Sequence, residues 1–275
     1  MRELEIPTAF HDLLKGALNR RTLTDLRECS EFRREIKDHP AARFAEMLRQ
    51  HLEQEGWAIV DGFELRHDMR DEQFLTALVS SLGQPTYHSH GLTDLVWAIR
   101  PQSSRDGNLS SSIDMIPLHT DSSFKPQPER FIALLAIEND GDGDSHWLRI
   151  DPVLRELEAS ADGRDCVRVL SQLAAPVLPP PIFRFPQQAQ RYMVLGASPR
   201  VRFRHDLIER ALLDAPDREL SGALQHLREA IERSAHRVSY RLRSGQALVL
   251  DNHRFLHGRS ALSNTERLLL RMRFD

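Results

Sequence analysis

Thiols are scarce in this 275-residue chain: Cys29 and Cys166 are the only cysteines, far apart and without CxxC spacing. A disulfide framework or a thiolate zinc knuckle is therefore unsupported, and both are expected as free thiols in a reducing cytoplasm. Long apolar runs are also lacking. None approaches the ~20 residues that a membrane span requires, and the start, Met1-Arg2-Glu3-Leu4-Glu5-Ile6-Pro7, has neither the basic nor the apolar region of a secretory signal. A soluble, cytoplasmic protein is expected. An excess of one charge is missing as well: 37 Lys and Arg stand against 40 Asp and Glu, a formal net charge of -3. That balance gives no broad electrostatic footprint for nucleic acid or an anionic membrane, and a small-molecule partner fits better.

What is present is enough for a sizeable core, with 40% hydrophobic residues. With no internal repeat and no evident linker, one domain over residues 1–275 is expected. Phe44, Met47, Leu48 and Leu52 recur at helical spacing between Ala41 and Glu55, and Gly56 stands where a helix stops. Trp57 to Val60 then reads as a strand, and Gln73 to Leu82 as a second amphipathic helix ending at Gly83. Phe131 to Ile137 is an apolar run of buried-strand length. Gln102 to Ser112 reads as a loop and Pro176 to Pro186 as a break in regular structure. Leu207 to Ile231 has a helical pattern, within an expected helical insertion around 204–232. Val238 to Leu242, Ala247 to Leu250 and Leu268 to Phe274 read as strands. The sum is a mainly β chain with flanking helices, a β-sandwich or β-helix-like barrel.

Two segments carry candidate chemistry: Pro117-Leu118-His119-Thr120-Asp121 and Asp251-Asn252-His253-Arg254-Phe255-Leu256-His257-Gly258-Arg259. His119 and Asp121, two residues apart, share one face of an extended strand. The triplet alone is weak. With 13 His and 40 acidic residues, about two H-x-[DE] triplets arise by chance, and His51-Leu52-Glu53 is another. His51 falls in a helical pattern, where residues two apart diverge, whereas His119 lies at a strand end ahead of turn-forming Ser122 and Ser123. The bland reading of His119 and Asp121 is a hydrogen-bonded pair at a sheet edge. The second segment adds another imidazole, from His257 or, as a competitor, His253. Two imidazoles and a carboxylate are the ligand set of non-haem Fe(II) oxygenases, and the absence of thiolate argues against structural zinc.

His-Thr-Asp with a following Ser-Phe, an apolar strand, Gly143-Asp144-Ser145, then Asp-Asn-x-x-x-Leu-His-Gly-Arg and an arginine-rich last strand resembles a known family. It is similar, from about Gly56 onward, to the Fe(II)/2-oxoglutarate dioxygenases of the taurine dioxygenase and clavaminate synthase type. The resemblance implies a double-stranded β-helix, or jelly-roll, core with Fe(II) at its open end and with 2-oxoglutarate and dioxygen as cosubstrates. It implies His119, Asp121 and His257 as metal ligands. Arg271 is implied as the fork on the remote carboxylate of 2-oxoglutarate, and Ser145 as a hydroxyl on the same carboxylate. Arg267, Leu269, Arg271 and Arg273 share one face of the last strand. That face is either solvated or, if helices cover the apolar face, turned inward, as expected here for Arg271; Arg267 is its main rival, and Arg259 could touch substrate.

The resemblance also implies the activity: an oxygenase that hydroxylates, desaturates, epoxidises or cyclises an amino acid or related small metabolite in a biosynthetic pathway, with halogenation disfavoured by the presence of Asp121. A metal-dependent hydrolase or isomerase and a non-catalytic jelly-roll binding module are the competing classes. Asp140 to Asp144, with Asp151 in the twelfth position, imitates a calcium loop, but Ser145 stands where its glycine is required, so a turn is expected. Tyr87-His88-Ser89-His90 would be an ordinary loop, part of a substrate mouth or a second metal site, the first being the expectation. Arg202 and Arg204 would be solvated or would pair with an acidic substrate, and Phe203 alone makes no stacking platform for nucleic acid.

Overall fold

Alternation of side chains along the strands sets the layers of this molecule. The structure, a computed structural model, describes residues 3–88, 94–102, 109–139, 141–180, 188–197 and 200–275. The chain begins with β1 (Glu3–Glu5), α1 (Thr8–Leu18), α2 (Leu26–Ile36), α3 (Arg43–Glu55), β2 (Trp57–Asp61), α4 (Met69–Leu82), β3 (Pro85–Thr86) and β4 (Trp97–Ile99). There follow β5 (Ile116–His119), β6 (Phe131–Glu138), β7 (Ser145–Arg149), α5 (Ile150–Glu158), α6 (Ala161–Gln172), β8 (Ala174–Val177) and β9 (Gln190–Met193). The last elements are α7 (His205–Asp214), α8 (Arg218–Arg233), β10 (Val238–Tyr240), β11 (Ala247–Asp251), β12 (Phe255–Arg259) and β13 (Leu268–Phe274).

The larger sheet runs β1-β2-β11-β6-β13-β3, with β4 also on β13; the smaller runs β10-β7-β12-β5. They form the jelly-roll core. The central strands β6 and β11 are buried on both faces, which is why they read as unbroken apolar runs. Ala133, Leu135, Ala247, Val249, Leu270, Met272 and Phe274 pack outward on the helices α1 to α4. Ile132, Leu134, Leu248, Leu250 and Leu269 face Trp147 and Phe255 of the smaller sheet. Burial of this apolar surface is the main stabilising term. The outer side of the smaller sheet, through Leu148 and Leu256, packs on α5 to α8.

Local chemistry explains the boundaries. A reciprocal capping box between Asp25 and Glu28 starts α2. Gly56 ends α3 in the left-handed region at φ 82°, as the sequence predicts. Gly83 ends α4 for another reason: its backbone is extended, and a Cβ there would strike Asp275 and Phe274.

Three expectations need correction. The helical pattern of 207–231 is two helices, because Pro216 interrupts it and the Asp217 side chain accepts the Leu220 N–H to start α8. The helical insertion is also larger than 204–232, since α5 and α6 precede it; short helices with Pro152 or Gly163 early in them give a poor periodic signal. Pro176 lies within β8, tolerated because that strand belongs to a two-stranded ribbon. Among the described residues, no helix is long and apolar enough to cross a membrane. Cys29 and Cys166 are both free and buried.

Candidate metal centre and cosubstrate cavity

Strand pairing places the two histidines side by side. β5 and β12 are antiparallel with His119 opposite His257, and their rings lie 4.4 Å apart. The pairing is tight: a Cβ on Gly258 would come within 2.5 Å of the Ile116 carbonyl, so glycine is needed for close approach. Asp121 follows just beyond the end of β5. Its N–H donates to Asn252 Oδ1 at 2.7 Å, and Asn252 Nδ2 donates to the Asp121 and Glu129 carbonyls. Asn252, conspicuous in the Asp-Asn pair but given no task from sequence, thus locks the carboxylate-bearing turn.

The donor atoms fit one ion. Asp121 Oδ1 is 3.7 Å from His119 Nε2 and 3.9 Å from His257 Nε2, and all three ligand atoms lie within 4.8 Å of one another. Shifts of about 1 Å would let them share a divalent cation with bonds of about 2 Å. His119 Nδ1 lies 2.9 Å from the Pro117 carbonyl, a contact that assigns the proton to Nδ1 and leaves Nε2 as donor to metal. Burial, helped by His119 and the neighbouring arginines, keeps the His257 imidazole well below its ordinary pKa and neutral. Burial opposes ionisation of Asp121, but Arg271 and Arg273 outweigh it and hold the carboxyl well below the usual range. An ionised carboxylate and a neutral imidazole are the states a metal needs.

Arg271 is buried and lines the cavity, which is the inward alternative that the strand pattern left open beside a solvated face. Its contacts differ from those expected. Nη1 lies 3.0 Å from Asp121 Oδ2, Nη2 lies 3.0 Å from His88 Nε2, and the buried Nε has no partner among the described residues. Arg273 Nε also donates to Asp121 Oδ2, and its Nη1 to the His88 carbonyl. Burial, with Arg271 and Arg273, pushes His88 down to about 2, so this imidazole is neutral.

Ser145 has a different guanidinium beside it. Arg267 Nη2 lies 3.5 Å from Ser145 Oγ, and Arg267 Nε donates to Asn139 Oδ1 at 2.8 Å. Asn139 was not singled out from sequence; nothing in the pattern marks it. Burial, with Arg259 nearby, lowers Arg267 to about 10, and no carboxylate among the described residues lies within ion-pairing distance of it. A buried guanidinium without an anion is costly. This end of the cavity therefore suits a carboxylate. The expected pairing of Arg271 with Ser145 is not what the fold brings together.

The other candidates separate cleanly. His253 Nε2 faces the Pro128 carbonyl at 2.9 Å and stays out of the triad. His51 remains half-buried on α3. Arg202 donates to the Lys125 and Pro126 carbonyls and stacks over Tyr192. Arg259 donates to the Ser112 and Ser260 carbonyls at the cavity wall. Gly141 to Asp144 is an irregular connection between β6 and β7, bent at Gly141 and Asp142. Asp140, Ser89, His90, Pro186 and part of the 102–112 loop lie outside the described residues.

A family model described as taurine catabolism dioxygenase TauD, TfdA family matches residues 27–161 and 180–273. The chain belongs to this family. As a TauD/TfdA-family chain it is a dioxygenase, and the unmatched stretch between the two blocks covers most of α6 and β8. No curated protein matches the sequence. Among solved structures, asparagine oxygenase in complex with Fe(II), 2S,3S-3-hydroxyasparagine and succinate is similar at 18% identity and a TM-score of 0.77, over 100% of this chain and 93% of that one. The non-heme iron oxygenase OrfP, in complex with Fe, succinate and (3S)-hydroxy-L-Arg, is similar at 16% identity and a TM-score of 0.75, over 100% and 94%. OrfP with Fe and alpha-ketoglutaric acid gives 18% and 0.75, over 100% and 93%. These likenesses are of fold.

Proposed function

We propose that this TauD/TfdA-family chain is an Fe(II)- and 2-oxoglutarate-dependent oxygenase that hydroxylates an amino acid or a related small metabolite. One observation carries the reading: an open two-histidine, one-carboxylate triad shares a cavity with a buried arginine that has no acidic partner among the described residues. The solved complexes of asparagine oxygenase and OrfP support the substrate class. Fe(II) and 2-oxoglutarate together supply dioxygen activation, with the balance RH + 2-oxoglutarate + O2 giving ROH + succinate + CO2.

The chain's own residues divide the remaining work. His119, Asp121 and His257 would hold the ion. Arg267, oriented by Asn139, takes the remote carboxylate of 2-oxoglutarate with the Ser145 hydroxyl beside it. Arg273 secures Asp121 Oδ2, while Oδ1 is the oxygen near the two imidazoles and would be the one to hold the ion. Arg271, already within reach of Asp121 and His88, is left to face the substrate. Orientation matters most in such a site, because the group held nearest the oxidant is the one that reacts. A hydrolase or isomerase would have no use for the buried Arg267. Residence in the cytoplasm and a single domain over 1–275 belong to the same proposal, the former supported by the two free thiols.

The test is anaerobic addition of Fe(II) and 2-oxoglutarate to the purified protein. A weak visible metal-to-ligand charge-transfer band is expected. Its absence from folded, iron-loaded protein overturns the proposal.

A further inference from the structure

A second arginine wall in the cavity is not accounted for by iron or 2-oxoglutarate. Residues 200–204 form a strap beside the segment that carries two of the ligands. Thr120 N–H donates to the Phe203 carbonyl at 2.8 Å, and Phe203 N–H donates to Thr120 Oγ1 at 2.9 Å. Val201 N–H donates to the His253 carbonyl, and Arg202 anchors on the Lys125 and Pro126 carbonyls. The next residue, Arg204, therefore has a defined position relative to the metal ligands. It lines the cavity with Asp121, His257 and Arg271 and is only 8% exposed.

Its setting is asymmetric. Asp206 accepts from Arg204 Nε at 2.8 Å and from Nη2 at 2.7 Å. The Asp206 side chain is 53% exposed and that of Arg204 10%, so the acid grips the guanidinium from the solvent side. This fork fixes the plane of the arginine and leaves Nη1 outside it. Burial is the main reason that Arg271 is lowered to about 10, and the charges of Arg273 and Arg204 add to it, so these guanidiniums feel one another.

The charges of the cavity do not balance. Among its described lining residues, Asp121 is the one acid, against Arg204, Arg259, Arg267, Arg271 and Arg273. Fe(II) and the 2-oxoglutarate dianion cancel, and Asp206 answers Arg204 from outside. Two or three positive charges are then left facing the substrate, and among the described residues no carboxylate is free there to receive an ammonium or guanidinium group. Cationic substrates would pay desolvation and repulsion without compensation.

Resting on the iron and 2-oxoglutarate reading above, we infer that the substrate carries two acidic groups, one directed to Arg271 and the other to Arg204. Arg204 is then the residue that selects an acid over its amide or over a cationic analogue. Small dicarboxylates, acidic amino acids among them, are the chemical class.

The experiment measures substrate-dependent succinate release with matched pairs: L-aspartate against L-asparagine and L-glutamate against L-glutamine, with L-arginine as the cationic probe. The wild-type protein is expected to favour the acid of at least one pair by about tenfold or more in kcat/KM. Arg204→Gln should bring that ratio close to one, and Arg204→Lys should keep part of it. The ratio is the readout because a defect in folding or iron loading lowers both members alike. Preference for an amide or for L-arginine overturns the inference, as does an unchanged ratio in Arg204→Gln. Acidic probes that neither release succinate nor perturb the anaerobic charge-transfer band also overturn it. If the band itself fails to form, the iron and 2-oxoglutarate reading is what has failed.

Discussion

The two ends of the cavity use the same residue type, arginine, in opposite electrostatic settings. Near the His119, Asp121 and His257 triad, Arg271 and Arg273 share the Asp121 carboxylate, so their charge is partly answered within the protein. At the far end, Arg267 has an amide oxygen and a hydroxyl for company and no acid among the described residues. The first arrangement keeps a carboxylate ionised for a cation; the second leaves a cation ready for an incoming carboxylate. A cosubstrate with a chelating end and a remote carboxylate fits that polarity in one orientation only.

Four substitutions bear on this contrast. Asp121→Ala removes the acid that defines the metal end. We expect turnover to fall by about a thousandfold or more, beyond the 10–100-fold typical of residues that only support a ligand, with iron affinity reduced in calorimetric titration. Retention of full iron affinity would dissolve the distinction between the ends. Arg267→Ala should raise the 2-oxoglutarate KM by roughly 10–150-fold, the value of a lost charge-assisted hydrogen bond, with iron binding retained. Arg271→Ala makes the comparison sharper: its larger effect should fall on the substrate KM. If Arg271→Ala instead gives the larger rise for 2-oxoglutarate, the two arginines exchange roles. Ser145→Ala should be mildest, about 2–12-fold on the 2-oxoglutarate KM, because a neutral hydroxyl contributes about 0.5–1.5 kcal/mol. An effect as large as that of Arg267→Ala would make the hydroxyl a principal anchor.

Much of the β core was legible because its strands are buried on both sides. Phe131 to Ile137 and Ala247 to Leu250 read as buried strands, and they are β6 and β11. The layer of α5 and α6 was not legible. In α5, Ile150, Val153 and Leu157 are the buried residues, too few over nine positions to outweigh Pro152. Gly83 shows the same limit in miniature, since it looks like a helix stop by conformation and acts instead by admitting the C-terminal strand.

The candidate site divides along the same line. Strand alternation led from His119 to Asp121, although Asp121 lies in the turn beyond β5 where Asn252 holds it, and the sequence determined by itself that His257 would follow a buried strand and a polar turn. It also put Arg267, Arg271 and Arg273 on one face of an extended C-terminal segment, and for that reason it could not tell them apart; Arg267 lies just before β13. Arg267 and Arg271 are four residues, or about 13 Å, apart along an extended chain. Only the pairing of β13 with β6, of β12 with β7, and the anchoring of the 200–204 strap decided the rest. Those tertiary contacts put Arg267 beside Ser145, Arg271 beside Asp121 and Arg204 into the cavity, because side-chain periodicity sets a face and only packing sets the neighbour across it.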